Sequence, residues 1–285
     1  MADIRTAAAG DIAVAAKWVG GVVPTTGDNA ILDHDMKFGT DATKTFLCDN
    51  LDCLGDGNGT LTVSDTTSMT ADIAGLERVD DSGSTEWVVT GDGATTLNEG
   101  WTCAGTNTQF TGTVTGGGPA ATDAGVWVTG FLTATTIAGT SDTNLGVFNY
   151  EGTITGDVTG TSDTASGVFN SVGTITGDVT GTSDSGRGVR NAGTITGDVT
   201  GTSDSGRGVI NDASTITADN ITAQSTSDLA FYDAAGTLTQ GAGAAGVNLT
   251  VRRLDGGQAL LLAATTISDE LKVTYVSNGV TPFVV

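Results

Sequence analysis

Aspartates recur at two fixed positions in the middle of the chain. Paired carboxylates at a fixed spacing are the groups that many glycoside-cleaving enzymes use as acid and base. The two positions are occupied by Asp157, Asp178 and Asp198, and by Asp163, Asp184 and Asp204. An active site is a local exception, whereas these residues return in every repeat. We interpret them as solvated carboxylates and turn caps, with Ca²⁺ binding and polysaccharide cleavage as alternatives.

The single histidine, His34, lies between Asp33 and Asp35. A Ser–His or Cys–His mechanism would need this residue beside a nucleophile. The chain contains no G-x-S-x-G nucleophile elbow, so we interpret His34 as structural. We predict no catalytic residue, no cofactor-binding residue and no metal site, and therefore a protein that is not an enzyme.

The aspartates belong to a unit that is repeated three times between Gly152 and Asn211. Ile154, Ile175 and Ile195 mark its steps, which are 20 or 21 residues long. A period of this size is typical of a solenoid. Each unit holds three short β-branched runs separated by Gly, Asn and Asp. We therefore predict an all-β fold, a right-handed three-faced parallel β-helix whose coils stack at about 4.8 Å.

Alternation along these runs predicts which side chains face inward. Ile154 and Val158 are an even number of residues apart and are predicted to lie in the core, together with the Asn residues that end the third run. One further position varies between repeats and accepts arginine, so it is predicted to face outward. Its residues are Phe148, Phe169, Arg190 and Ile210. We predict that the Phe148 and Phe169 face is covered by another subunit.

Threonines on either side of the isoleucine form a second outward pattern. Thr153 and Thr155, with their equivalents in later repeats, predict a flat array of hydroxyl groups. Such an array resembles the surface of β-helical ice-binding proteins. Because Thr is also favoured on solvated strands, ice binding is kept as an alternative.

Less regular segments flank the repeats. Residues 1–19 are predicted to form an N-terminal arm or cap, and residues 20–245 the parallel β-helix. The composition changes after a Gly/Ala-rich stretch, and residues 246–285 are predicted to form a small antiparallel β cap or docking element.

The chain is strongly acidic. Its 285 residues include 11 Lys plus Arg against 33 Asp plus Glu, a formal net charge of −22. Binding to nucleic acid or to an anionic membrane requires clustered basic residues, so neither is expected as a partner. We find no signal-peptide pattern after Met1, which argues against a secreted adhesin, and we expect assembly in a reducing cytoplasm.

The segment Trp18–Leu32 reads WVGGVVPTTGDNAIL. It resembles the entry to the β-helix, W-x-G-G-x-V-P-x-x-G-D-x-V-x-I, in phage virion structural proteins with a right-handed parallel β-helix body. Together with the repeats and the acidity, this resemblance implies a capsid decoration (cement) protein or a tail spike or fibre. Trp18 is a further interface candidate.

Within this group we favour a capsid decoration protein on the outer surface of the virion. The resemblance implies a homotrimer that bridges subunits of the major capsid protein and thereby stabilises the head. A tail spike or fibre that binds a receptor is the first alternative, followed by the polysaccharide-degrading enzyme and the ice-binding protein.

Overall fold

The structure is a computed structural model that describes residues 2–25, 28–31, 34 and 124–277, with gaps at 243–245, 256–257, 264 and 269. Between residues 36 and 118 it describes strands only. The described part of the chain is all-β with almost no helix, and every pairing between its strands is parallel. The predicted all-β solenoid is confirmed. Its right-handed sense and its three-faced cross-section stay predictions.

Seven successive coils are stacked between residues 124 and 277, and each contributes to three ladders of paired strands. The Thr-Ile-Thr ladder comprises the first halves of the long strands Phe131–Ser141 and Thr153–Ser162, then Thr174–Thr176, Thr194–Thr196, Thr215–Ala218, Thr237–Gln240 and Thr266–Ile267. The Val-Thr-Gly ladder comprises the second halves of the same long strands, then Val179–Ser183, Val199–Ser203, Asn220–Ser225, Val247–Arg253 and Leu271–Ser277.

The third, or Val-X-Asn, ladder carries the predicted outward position. Its strands are Val126–Val128, Val147–Asn149, Val168–Asn170, Val189–Asn191, Val209–Asn211, Phe231–Asp233 and Leu260–Leu262. Identical residues face each other in register across the repeats, so that Val168, for example, pairs with Val189.

Parallel pairing also extends upstream of the regular coils. The strands there are Asp3–Arg5, Gly10–Asp11, Asn29–Ile31, Met36–Phe38, Thr45–Cys48, Asn50–Asp52, Leu61–Val63, Met69–Ala74, Glu86–Val89, Ala94–Glu99, Trp101–Cys103, Asn107–Phe110 and Thr113–Gly118. Two short 3-10 turns, Ala15–Lys17 and Val19–Gly21, lie between the second and third of these strands. The predicted arm or cap thus contains a strand, Asp3–Arg5, that pairs with Asn29–Ile31.

The prediction of an antiparallel C-terminal element is wrong. Val247–Arg253 pairs in parallel with Asn220–Ser225 on one side and with Leu271–Ser277 on the other. Val247, Leu249 and Val251 are buried, as Ile221 and Ala223 are on the preceding coil. An alternating strand has the same apolar pattern whichever way its neighbour runs, so the sequence pattern did not reveal the direction of pairing. The Gly/Ala-rich stretch falls between two strands of the solenoid.

A continuous apolar core follows from the alternation. Ile154, Ile175 and Ile195 are fully buried, as are Val158 and Val179, and the threonines between them face outward. At the corner after the Thr-Ile-Thr run, Gly177 has a φ of +138°. A Cβ atom there would lie 2.3 Å from the carbonyl oxygen of Gly156. This corner therefore requires glycine on steric as well as conformational grounds.

Buried asparagines form a hydrogen-bonded row through the core, as predicted. The side-chain Nδ2 of Asn149 donates to Oδ1 of Asn170, Asn170 donates to Asn191, and Asn191 donates to Asn211, each at 2.9 Å. All four side chains are fully buried. Because a buried amide without partners costs on the order of 1–3 kcal/mol, this row joins coils that apolar packing alone would leave less specifically aligned.

The next residue in this row is Asp233 instead of asparagine. It is fully buried, and its Oδ1 accepts a hydrogen bond from the backbone N–H of Gly236 at 2.6 Å. Its Oδ2 and the Oγ1 of Thr265 have no hydrogen-bond partner. Burial raises the pKa of Asp233 above its usual value, an effect that the nearby Asp212 carboxylate reinforces and that the hydrogen bond from Gly236 only partly offsets.

Removal of one complete repeat should leave a folded, shorter solenoid. Deletion of residues 173–192 brings Gly193 to the position of Gly173 and preserves the register of all three ladders. We expect a β-type circular dichroism spectrum, cooperative urea unfolding and a rod shorter by about 4.8 Å in small-angle scattering. Deletion of residues 173–182, half a coil, is the control and should abolish cooperative unfolding. Equal behaviour of the two deletions would contradict the coil assignment.

Replacement of Asp233 by asparagine should stabilise the fold at neutral pH. The folded-state pKa lies above the unfolded one, so the stability of the wild type falls as the pH rises from about 3.8 through the folded pKa. D233N has no carboxyl group to ionise and offers an N–H to Thr265. We expect its free energy of unfolding to exceed that of the wild type by about 1 kcal/mol at pH 7 and by less at pH 4.

Urea denaturation at the two pH values measures this difference. D184N, which removes an exposed carboxylate, controls for the change in net charge. The same pH dependence in D233N as in the wild type would contradict the assignment.

Candidate functional site

The outward position of the Val-X-Asn ladder forms one continuous column along the solenoid. Pairing places its residues in register on seven coils: Trp127, Phe148, Phe169, Arg190, Ile210, Tyr232 and Leu261. The structure therefore brings together four of the predicted interface candidates, namely Phe148, Phe169, Arg190 and Ile210. We call this set of seven residues the outer column.

Aromatic rings stack at the beginning of the outer column. The Phe148 and Phe169 rings are stacked with their centroids 5.3 Å apart and an interplanar angle of 13°. Trp127 packs on Phe148 at 5.7 Å with a tilt of 32°, and Tyr150 meets Phe148 edge-on at 5.7 Å. These contacts fix the rings relative to one another, and such pairs contribute about 0.5–1.5 kcal/mol each beyond their buried area.

Two arginines continue the contacts along the column. The Arg190 guanidinium lies 4.7 Å from the centroid of Phe169, and its Nε donates to Asp212 at 2.7 Å. The Arg207 guanidinium lies 4.4 Å from the centroid of Tyr232 and 3.6 Å from the Asp228 carboxylate. Both cations are therefore engaged within the chain by a ring and a carboxylate.

Two predicted interface candidates are not accessible at the surface. Ile210 belongs to the outer column but is only 2% exposed, because the larger Arg190 and Tyr232 occupy the same position on the neighbouring coils. Trp18 is also 2% exposed and packs in the core cluster, where its Nε1 donates to the carbonyl oxygen of Ile12 at 2.8 Å. Trp18 therefore anchors the first turns of the chain.

Exposed apolar side chains gather around the aromatic end of the column. Trp127 is 42% exposed, Phe131 53%, Tyr150 43% and Val172 72%, whereas Phe148 and Phe169 are half-buried. These six residues lie on three successive coils, and we call them the aromatic patch. An apolar cluster of this kind on a polar surface is typical of a contact site.

Phe131, Tyr150 and Val172 lie outside the outer column, and sequence reasoning missed them. Phe131 pairs with Thr153 and occupies a position that is threonine in the repeats. Tyr150 and Val172 fall in the short turn after the Asn, where the repeats differ in length. In each case the signal was an apolar residue that departs from its column.

Carboxylates of the first aspartate column have a structural role. Oδ1 of Asp157 accepts the backbone N–H of Asp178 at 3.0 Å, and Oδ1 of Asp178 accepts that of Asp198 at 2.9 Å. Asp198 continues the series to the backbone N–H of Asp219 at 3.1 Å. Each carboxylate thus binds the next coil at the glycine corner, which offsets the repulsion between like charges in register.

His34 and the outward threonines are the other residues for which the sequence suggested a chemical role. His34 Nδ1 lies 3.1 Å from the Oγ1 of Thr6, between two strand regions near the N-terminus. Among the described residues, no group of three or more His, Cys, Asp or Glu side chains is arranged to hold a metal ion. Thr155, Thr176 and Thr196 are exposed in register, the arrangement that the hydroxyl array requires.

Within the described ranges, no helix has the length and hydrophobicity needed to cross a lipid bilayer. Comparison with family models, with curated proteins and with solved structures finds no match for this chain. The candidate site therefore rests on the geometry of the aromatic patch alone.

Replacement of Asp178 should weaken the stack more than replacement of Asp184, although both lie on the same coil. Asp178 accepts a hydrogen bond from the next coil, whereas the exposed Asp184 side chain has no such contact among the described residues. We expect D178A to lower the free energy of unfolding by about 1 kcal/mol. D184A should change it by less than about 0.5 kcal/mol.

Urea denaturation of the two variants measures the difference, and the loss of one negative charge is common to both. An equal effect would show that the aspartate column contributes only through net charge.

Proposed function

We propose that this chain is a non-enzymatic virion structural protein and, within that class, a phage capsid decoration protein. The observation that carries the proposal is the aromatic patch: exposed Trp127, Phe131, Tyr150 and Val172 beside the stacked Phe148 and Phe169. A solenoid that presents an exposed apolar patch suits a protein whose activity is attachment. The entry segment after Trp18 and the acidic repeats support the virion assignment by resemblance.

The proposed mechanism is the bridging of neighbouring shell subunits. A homotrimer of solenoids would contact subunits of the major capsid protein on the outer surface of the virion, after assembly in the host cytoplasm. A contact that forms only in the closed shell lowers the free energy of the closed shell relative to that of the opened shell. The parallel ladders suit this role because stacked coils resist deformation along the rod.

The repeated aspartates favour this assignment over polysaccharide cleavage. Asp157, Asp178 and Asp198 use a carboxylate oxygen to accept a backbone N–H, so their recurrence has a structural explanation. A receptor-binding tail spike or fibre is the second candidate, because the same aromatic patch would serve to contact a receptor.

The number of copies per particle tests the proposal. Particles released from a host that carries this gene are purified, and the chain is quantified against the major capsid protein by mass spectrometry. We expect a copy number comparable with that of the major capsid protein. A copy number far below it would assign the chain to the tail, and absence from the particles would overturn the virion assignment.

Two further assays test polysaccharide cleavage and ice binding. Release of reducing ends from host polysaccharide by the purified chain would overturn the non-enzymatic assignment. A depressed freezing point that is lost on replacement of Thr176 and Thr196 by valine would establish ice binding instead.

A further inference from the structure

The buried asparagine row does not extend to the last coil that the structure describes. This coil comprises residues 258–277, and we call it the distal coil. Its strands Leu260–Leu262, Thr266–Ile267 and Leu271–Ser277 pair with those of the preceding coil. Asp233 ends the row, and Leu262 occupies the next position. Because each coil of a solenoid contacts only its neighbours, the distal coil can open while the earlier coils stay stacked.

Asp233 is buried at the interface between the distal coil and the coil before it. Its backbone carbonyl oxygen accepts the N–H of Ala263 in the distal coil at 2.8 Å. The side chain is fully buried, with Oδ1 bonded to the N–H of Gly236 and Oδ2 without a hydrogen-bond partner. A carboxylate in this position lacks both the water and the second hydrogen bond that would stabilise its charge.

Thr265 lies in the column that supplies a hydroxyl group to this row elsewhere. It precedes Thr266 as Ser214 precedes Thr215, and pairing places these threonines in one column. Nδ2 of Asn191 donates to the Ser214 Oγ of the following coil at 3.0 Å, whereas the buried Thr265 Oγ1 has no partner. A hydroxyl group can hydrogen-bond to either form of a carboxyl group, but it has no charge to offset ionisation.

No cation faces Asp233 among the described residues. On the preceding coil, the charge that acts on it is the Asp212 carboxylate, which is paired with Arg190 and disfavours a second negative charge. On its own strand, Tyr232 belongs to the outer column, where its ring contacts Arg207. In the distal coil, residues 258–268 include no charged or titratable side chain. Ionisation of Asp233 is therefore uncompensated while the distal coil is closed.

We propose that Asp233 is a pH-sensitive switch: the distal coil stays closed over the protonated carboxyl group and opens when that group ionises. Opening exposes the carboxylate to water, so the open state binds the proton more weakly than the closed state. By linkage, the open fraction grows as the pH rises from about 3.8 to the pKa of the closed state and is constant above it. The inference does not depend on the proposed function.

Opening changes the sheet edge that the solenoid presents. In the closed state, Leu271–Ser277 pairs with Val247–Arg253 along seven residues. In the open state, the N–H and C=O groups on that side of Val247–Arg253 are uncovered, which makes this strand an edge strand. The coils between Asn149 and Asn211 are unaffected, because their amide row contains no ionisable group.

Hydrogen exchange of the full chain, measured by mass spectrometry, tests the switch. Peptides from the distal coil are compared with peptides from residues 174–203 between pH 4 and pH 8, after correction for the intrinsic exchange rate. We expect protection of the distal coil to fall at least about tenfold between pH 4 and pH 7, and protection of residues 174–203 to change less than about twofold. An equal loss of protection in both segments would overturn the proposal, because global unfolding or net charge would then explain it.

Matched variants assign the response to Asp233. In D233N the distal coil should have the same protection at pH 4 and pH 7, because asparagine, which occupies this position on the four preceding coils, does not ionise. D233S also lacks an ionisable group and should give the same result, so the test does not depend on how one variant folds. D184N, which removes an exposed carboxylate, should respond as the wild type does. A wild-type pH response in D233N or D233S would show that another group controls the coil.

Discussion

In-register parallel pairing between coils is the constraint on which the rest of this structure depends. Each residue of a paired strand is placed about 4.8 Å from the residue at the same position of the next coil, so its side chain meets a copy of itself or of its substitute. Apolar residues meeting in this way build the core, as Ile154, Ile175 and Ile195 do. Polar residues must satisfy one another. Asn170 donates to Asn191 inside the core, and Asp157 accepts the backbone N–H of Asp178 at the corner.

This constraint explains why the fold was largely predictable from sequence and where prediction failed. Columns of identical residues revealed the strands, their inner faces and the buried Asn149–Asn211 series. They did so because in-register pairing places residues that repeat in the sequence next to one another in space. Direction of pairing has no such signature, and the C-terminal strands were therefore assigned wrongly. The sequence pattern also did not predict how much of each outward side chain is exposed. Ile210 shares the outward direction of Arg190 but is covered by its larger neighbours. Trp18 belongs to no column, so nothing in the sequence indicated that it is buried.

The candidate site consists of residues that depart from the repeated columns. Where a column is constant, its residues hold one coil to the next, and their chemistry is used within the chain. Where a column changes, the new residue has lost that role, as with Phe131 in the threonine position or Val172 in the turn. The aromatic patch is made of such departures, on a stretch of chain that also lacks basic residues. The candidate site of this solenoid therefore consists of irregular residues that a regular scaffold positions.

The asparagine row also has a direction. Each amide-to-amide hydrogen bond in it runs from a donor on one coil to an acceptor on the next coil toward the C-terminus, so the side-chain dipoles add along the rod axis. The Asn149 end, with an Oδ1 that has no partner, is the negative pole, and the Asp233 carboxyl group stands at the positive pole. This is the arrangement that favours anions at the N-terminus of an α-helix, here produced by side chains. Between Asn149 and Asn211 the side-chain amides thus form a row of aligned dipoles that does not depend on formal charges.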